Sequence, residues 1–338
     1  MGSVPVVLIN SKDRKDELRR ALRSVYDQTV RTHLIVIDDA SKDGTSDMVR
    51  GEFPDARLIT NPTCQGFMEA RNHGAKIALE MGSPIMFVLD DDAMFSTPRV
   101  VEQTLPRLEH PRVGAVAIPL MNFIEGTQSD PDRFAEVCPG DFTVTYMFRG
   151  GASVLRADLF LALGGYQGHM GYAEENNYCA RMINAGYITR AGGGIDAINH
   201  YPSPNRNARG VTRLKSVNNV LFAWHNVPMP EFFWHNAGTW VNMVRYGAKL
   251  NHLGPAVGGL FEGSWRSITD FKSRRPISKR AYRLVRELIK AGSVPFEAVE
   301  AKLGPRREFA GVSMGRMVET APIPSAAAAR AEIAANPT

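Results

Sequence analysis

PIMFVLDDDAMF, residues 84–95, ends an apolar run in three adjacent carboxylates. The run from Ile85 to Leu89 suits a strand covered on both faces, as in a parallel sheet. No basic residue stands nearby in sequence to neutralise Asp90, Asp91 and Asp92, and buried carboxylates need a compensating cation. A divalent metal answers that need, because Mg²⁺ or Mn²⁺ takes oxygen ligands and commonly binds through one or two carboxylates plus substrate phosphates. Alternate side chains of an extended segment share a face, so Asp90 and Asp92 point into one crevice while Asp91 turns elsewhere. Solvated loop and capping aspartates are the plainer reading, and the flanking segments decide between the two.

Upstream, VPVVLIN (4–10) and HLIVIDDAS (33–41) read as two more buried strands and ARLIT as a short one. Between them, Leu18, Ala21, Leu22 and Val25 recur at helical spacing, with Asp13 placed to cap that helix. A short helix is entered through Thr45, and in GFMEARNHGAKIALEMG the residues Phe67, Ala70, Gly74, Ile77, Ala78 and Met81 share one face. Downstream, Thr97-Pro98 reads as a helix start. This βα alternation predicts a doubly wound, mostly parallel sheet, whose ligands bind outside the carboxyl ends of the strands. The unusual polar residues sit at those ends: Asn10 to Asp13, Asp38-Asp39 and Asp90 to Asp92. Past residue 110 the alternation weakens. VGAVAIPLMNF (113–123) and TVTYMFRGGASVLR (143–156) read as strands, a helix runs from about Ala173 to Gly186, and further helices are expected at 211–226, 231–250 and 278–291.

The 338 residues are 44% hydrophobic, enough for a substantial core, and carry 40 Lys and Arg against 35 Asp and Glu. From 201 to 290, fifteen Lys or Arg face four acids, Glu231, Glu262, Asp270 and Glu287. That basic stretch points to an anionic partner or a solvated basic face. Cys64, Cys138 and Cys179 show neither CxxC nor Cys/His ligand spacing, which fits a reducing cytoplasm. No leader precedes the first strand and no window is long enough for a membrane span. The absence of GxGxxG after the first strand argues against a dehydrogenase, and an acidic crevice argues against nucleic acid.

The motifs VVLINSKDR, VIDDASKDGT, NPTCQGFMEARNHGAKIA, FVLDDDA and GGASVLRADLFLALGGYQGHMGYAEENNYCARMINAGYITR resemble, in order and spacing, glycosyltransferases of family 2 with the GT-A fold. The resemblance covers about residues 4–202. It implies a GT-A, Rossmann-like α/β fold with a nucleotide-sugar-binding half over 1–110 and an acceptor-side half over 111–202. A basic, aromatic-rich helical C-terminal region would follow over 203–310, then a tail over 311–338 with little to bury. It implies an inverting, metal-dependent transferase using Mn²⁺ or Mg²⁺ and a nucleoside-diphosphate sugar, UDP- or dTDP-linked, with an acceptor the sequence does not name. Asn10, Asp13, Asp38, Arg71, Asp90 and Asp91 would hold the donor nucleotide. Asp92, Asp90 and His200 would serve the metal. The acidic pair on the acceptor side falls on Glu174-Glu175, with Glu175 as base and Glu174 in reserve, although the family more often has Asp at 175 and an acid where Asn177 stands.

Two other readings stay open: a sugar-nucleotide-binding subunit without catalysis, and a Mg²⁺-dependent phosphotransferase. FAWHNVPMPEFFWHNAGTW (222–240) is either an acceptor wall or packing between terminal helices. The basic segment 265–290 suggests contact with the inner face of a membrane or with a second copy of the chain.

Overall fold

The computed structural model describes residues 3–123, 130–131, 142–167, 174–202 and 207–309. Cys138 and the tail expected over 311–338 lie outside them. The first half alternates as the apolar runs require: β1 (Val6–Ser11), α1 (Lys15–Tyr26), β2 (His33–Asp38), α2 (Thr45–Glu52), β3 (Arg57–Thr60), α3 (Phe67–Glu80) and β4 (Ile85–Asp90). β1 pairs in parallel with β2 and β4, and β2 with β3. Their carboxyl ends therefore share one edge. Val6 to Ile9, Ile35 to Ile37 and Ile85 to Met86 are wholly buried, as runs covered on both faces demand. Helix α3 lies close on β1 because Gly74 has no side chain; a Cβ there would come within 2.4 Å of Leu8.

Next come β5 (Ala93–Phe95), α4 (Val100–Thr104), β6 (Val113–Ala117), β7 (Leu120–Asn122), β8 (Asp130–Pro131), β9 (Thr143–Thr145), β10 (Ala152–Arg156), α5 (Ala157–Ala162), α6 (Glu174–Asn184), β11 (Ile188–Ala191) and β12 (Ile198–His200). The chain closes with α7 (Ala208–Asn226), α8 (Glu231–Lys249), α9 (Leu253–Thr269), α10 (Lys279–Ala291), β13 (Ser293–Pro295) and α11 (Phe296–Glu300). The main sheet has nine strands in the order β13-β9-β11-β6-β10-β4-β1-β2-β3, and a small sheet runs β5-β12-β7-β8. In the main sheet β10 runs antiparallel to both β4 and β6. One hydrophobic cluster extends from Val6 to Leu303 and includes residues of α7 and α10.

Several local expectations change. The run 113–123 breaks at Ile118-Pro119 into β6 and β7, which join different sheets, because proline cannot donate to the ladder. The run 143–156 is two strands, with Gly150-Gly151 in the turn between. Asp13 does not cap α1; Arg14 takes the cap position, and Asp13 Oδ1 accepts from Lys42 N at 2.6 Å instead. Thr97 likewise does not start α4, which is entered at Arg99; its hydroxyl donates to Asp196 at 2.6 Å. Helix α9 was not expected, since LGPAVGGLFEG is rich in glycine and carries a proline. Packing explains it. A Cβ on Gly259 would lie 2.3 Å from Arg213 O of α7, and one on Gly263 would lie 2.8 Å from Val217 O. The glycines let two backbones approach where any larger residue would hold them apart.

Candidate active site

The carboxyl ends of β1 and β4 set Asn10 beside Asp90 in register. The turn that leaves β4 carries Asp91 and Asp92, both buried. Asp91 points inward: Ser11 Oγ donates to its Oδ2 at 2.7 Å and Arg14 Nη1 to its Oδ1 at 3.0 Å. The same Arg14 nitrogen donates to Asp92 Oδ2 at 2.9 Å. Burial raises the Asp91 carboxyl to about 6, against Arg14 and Ser11, which pull it down. Asp92 is also buried, but the bond and charge of His200 together with Arg14 outweigh desolvation and hold it below the usual carboxylate range.

His200 arrives through the small sheet. β12 pairs antiparallel with β5 so that His200 faces Ala93, and Tyr201 N donates to Asp92 O at 2.8 Å. Its Nε2 lies 3.3 Å from Asp92 Oδ1, while Nδ1 is 2.8 Å from Asn122 Oδ1 on β7. An amide oxygen accepts only, so Nδ1 carries a proton; Nε2 then donates to Asp92 when the ring is charged and offers its lone pair to a ligand when the ring is neutral. Ligand atoms of Asp90, Asp92 and His200 all lie within 4.8 Å of one another.

Arg71, on the first turns of α3, is buried. Its Nη2 donates to Asp90 Oδ1 at 2.8 Å, its Nη1 lies 3.7 Å from Glu174 Oε1, and its guanidinium stands 5.1 Å from the Phe67 ring centre. Burial alone would favour losing the charge, but Asp90 and the two glutamates outweigh it and raise the Arg71 pKa. The β10 pairing puts Ala152 opposite Leu89 and so sets Gly151 against Asp90, where a Cβ would fall 2.1 Å from Oδ2. Gly150 N donates to Glu175 Oε1 at 2.9 Å. Glycine is required at both positions by the closeness of these carboxylates.

Glu174 is buried, and burial together with Glu175 raises its carboxyl to about 8, against Arg71. Asn177 is buried one turn on and accepts from Arg181 Nε at 2.8 Å. Arg71, Asp90, Glu174, Glu175 and His200 line one cleft of about 860 Å³. Its far wall comes from the basic C-terminal region, with Thr212 and Lys215 of α7 and Tyr246 of α8. A second cavity of about 760 Å³ shares Met147, Asn176 and Asn219 with it and is walled by Phe222, Trp234 and Tyr282.

Of the residues expected to hold the donor or the metal, Asn10, Asp13, Asp38, Asp91 and Asp92 are not among the cleft's lining residues. Asp38 is buried and accepts from Ser41 N at 2.9 Å and from Ser46 Oγ. Asp39 accepts from Asn61, Cys64, Gln65 N and Gly66 N, which outweigh burial and keep it low, and it anchors the loop into α3. Asn10 Oδ1 is buried with no partner among the described residues. Sequence reasoning missed Arg14, Ser11 and Asn122. Arg14 lies in the SKDR stretch beside Asp13, but nothing in its spacing signals a partner 77 residues away.

The tip of β4 and the small sheet thus bring two aspartates and a histidine together beside a buried arginine. The model of glycosyl transferase family 2 matches residues 5–165, and over that stretch the chain is similar to the family. It is 24% identical over 184 residues to an uncharacterized glycosyltransferase of Haemophilus influenzae, covering 52% of this chain and 61% of that one. It is 27% identical over 169 residues to the O-antigen chain rhamnosyltransferase WbaN of Salmonella anatum, covering 46% and 52%. The matched part thus spans between half and two thirds of these relatives' length. The fold is similar to that of the mannosyltransferase PcManGT from Pyrobaculum calidifontis, solved with GDP-Man and Mn²⁺ (TM-score 0.53, 17% identity, 89% of this chain and 87% of that one). It is also similar to S. aureus TarS solved with UDP-GlcNAc (TM-score 0.55, 13% identity, 77% and 80%).

Proposed function

We propose that this chain transfers a sugar from a nucleoside-diphosphate sugar to an acceptor hydroxyl, with inversion and with the help of a divalent cation. The observation that carries the reading is that ligand atoms of Asp90, Asp92 and His200 lie within 4.8 Å of one another, while Asp90 and His200 line the same cleft as Glu174 and Glu175.

The donor set fits a hard or borderline cation: two carboxylates and an imidazole whose free nitrogen is oriented by Asn122. Asp90, Asp92 and His200 would hold Mn²⁺ or Mg²⁺, which when bound supplies positive charge to a departing diphosphate. Arg71 lies against Asp90 at rest and can offer its guanidinium to the same diphosphate. Asn10 Oδ1, buried without a partner, is suited to accept from a ribose or base donor. Glu175 is the proposed base. Gly150 N fixes one of its carboxylate oxygens, and the side chain lines the cleft, where its other oxygen would take the acceptor's proton. A single base on the side away from the leaving group gives inversion. We assign the acceptor to the 760 Å³ cavity, because Phe222, Trp234 and Tyr282 offer ring faces for sugars and Asn176, Asn219 and Asn242 offer amides for their hydroxyls.

The resemblance favours UDP- or dTDP-sugar donors, while the neighbours' donors include GDP-Man; the three bases therefore belong in one panel. Thermal shift with UDP, dTDP and GDP, each with and without Mn²⁺, should show stabilisation by one nucleotide that depends on the metal. Asp92→Asn should abolish the metal-dependent part. Absence of any metal-dependent shift across the panel sinks the proposal, and tight donor binding without turnover on any acceptor points to the binding-subunit reading.

A further inference from the structure

Helix α9 wears most of its large apolar residues on the outside. Its packed face holds Leu260 and the small residues Ala256, Gly259, Gly263 and Ser267, all buried, with Gly259 and Gly263 set against the backbone of α7. Its outer face carries Leu253, Phe261, Trp265 and Ile268, exposed by 47%, 63%, 66% and 68%. The spacings of eight, four and three residues put these four on one stripe. Phe271, just beyond the helix, is 62% exposed and extends it. Trp240 of α8 packs edge-on against Phe261 with ring centres 5.1 Å apart, so the stripe continues onto the neighbouring helix. Scattered exposed apolar residues are ordinary, but a continuous row of large ones marks a surface that meets something.

We propose that this face docks on an anionic lipid surface. The charge around it selects that occupant. Between residues 232 and 275 the chain carries six cations against two acids, Glu262 and Asp270; Arg266 pairs with Glu262 and Arg274 is bonded to Val227 O, which leaves Arg245, Lys249, Lys272 and Arg275 exposed. A second copy of the same face would set these cations against one another. A bilayer carrying anionic lipid takes both features at once, with Phe and Trp at the headgroup boundary and cations against the surface potential. Among the described residues no helix is long and apolar enough to cross a membrane, so docking is peripheral. The basic segment 265–290 had suggested such contact through its charge; the structure assigns the apolar half of the contact to α9 instead. Tyr246, Leu250 and His252, at the junction of α8 and α9, line the catalytic cleft. Docking would therefore bring the rim of the cleft to the bilayer, where a lipid-anchored acceptor would be presented. That corollary rests on the transferase reading, whereas docking does not.

The test is co-sedimentation of the full chain with vesicles of phosphatidylcholine and phosphatidylglycerol (about 3:1), against phosphatidylcholine alone. The chain should bind the anionic vesicles, with partitioning weakened about tenfold or more in a Phe261→Ser/Trp265→Ser variant, since the removed area is exposed and apolar. A Lys272→Glu/Arg275→Glu variant and high salt should weaken it as well. Both variants change exposed positions and should keep the wild-type melting temperature and nucleotide thermal shift, which separates loss of docking from loss of the donor site. Failure to sediment with anionic vesicles, or sedimentation that the Phe261→Ser/Trp265→Ser change leaves intact, overturns the proposal. So does a dimer in sedimentation velocity that this variant dissociates, for the face then belongs to a second copy of the chain.

Discussion

Replacing Glu174 with glutamine probes the electrostatics of the acceptor wall. Burial, reinforced by Glu175, raises this carboxyl from 4.5 to about 8. The folded chain therefore keeps a proton that the unfolded chain releases above about pH 4.5. Stability must fall as pH rises from there, and level off once the folded group also ionises, above about pH 8. At about 1.4 kcal/mol per pH unit the whole shift corresponds to at most ~5 kcal/mol. With Arg71 Nη1 3.7 Å away favouring the ionised form, we expect about half of that at this position. Glutamine keeps the shape and cannot ionise. Urea denaturation should thus find the variant close to the wild type at about pH 5 and more stable by ~2–3 kcal/mol at about pH 9. Parallel loss of stability in the two proteins over that interval would refute the assignment of the proton to Glu174. The variant also separates roles. A carboxyl that is protonated at pH 7 is not the base, so Glu174→Gln should keep most transfer activity while Glu175→Gln lowers it by about 10²-fold or more.

Arg14→Gln removes the cation shared by Asp91 and Asp92 and should destabilise the metal-free protein by ~2 kcal/mol, a loss recovered on adding Mn²⁺; melting curves with and without the metal measure both effects. Gly259→Ala forces a methyl against Arg213 O, 2.3 Å away, and should cost ~1–3 kcal/mol in urea denaturation through separation of α7 and α9. Gly151→Ala places a Cβ on Asp90 and should remove the metal-dependent nucleotide shift; retention of that shift would show that Asp90 is not needed in its present position.

Sequence alone determined the doubly wound half of this protein. Apolar runs such as Val6–Ile9 and Ile85–Leu89 can be satisfied only by burial on both faces, and the intervening helices announce themselves by a periodic apolar face. Once that alternation is accepted, the polar residues at strand ends fall together at one edge, which is why Asp90 and Asp92 are legible as site candidates in the sequence, whereas Glu174-Glu175, in the first turn of α6, are reached only through the family resemblance. Tertiary structure decided which charges meet. Arg14 reaches Asp91 and Asp92 from the turn after the adjacent strand β1, His200 comes to Asp92 through a separate small sheet, and Arg71 meets the carboxylates where two glycines allow a close approach. None of these contacts leaves a local signal, because each depends on the register between strands distant in sequence. The same holds for α9. Its glycines weaken it as an isolated helix, and only the neighbouring α7 backbone makes their missing side chains an advantage.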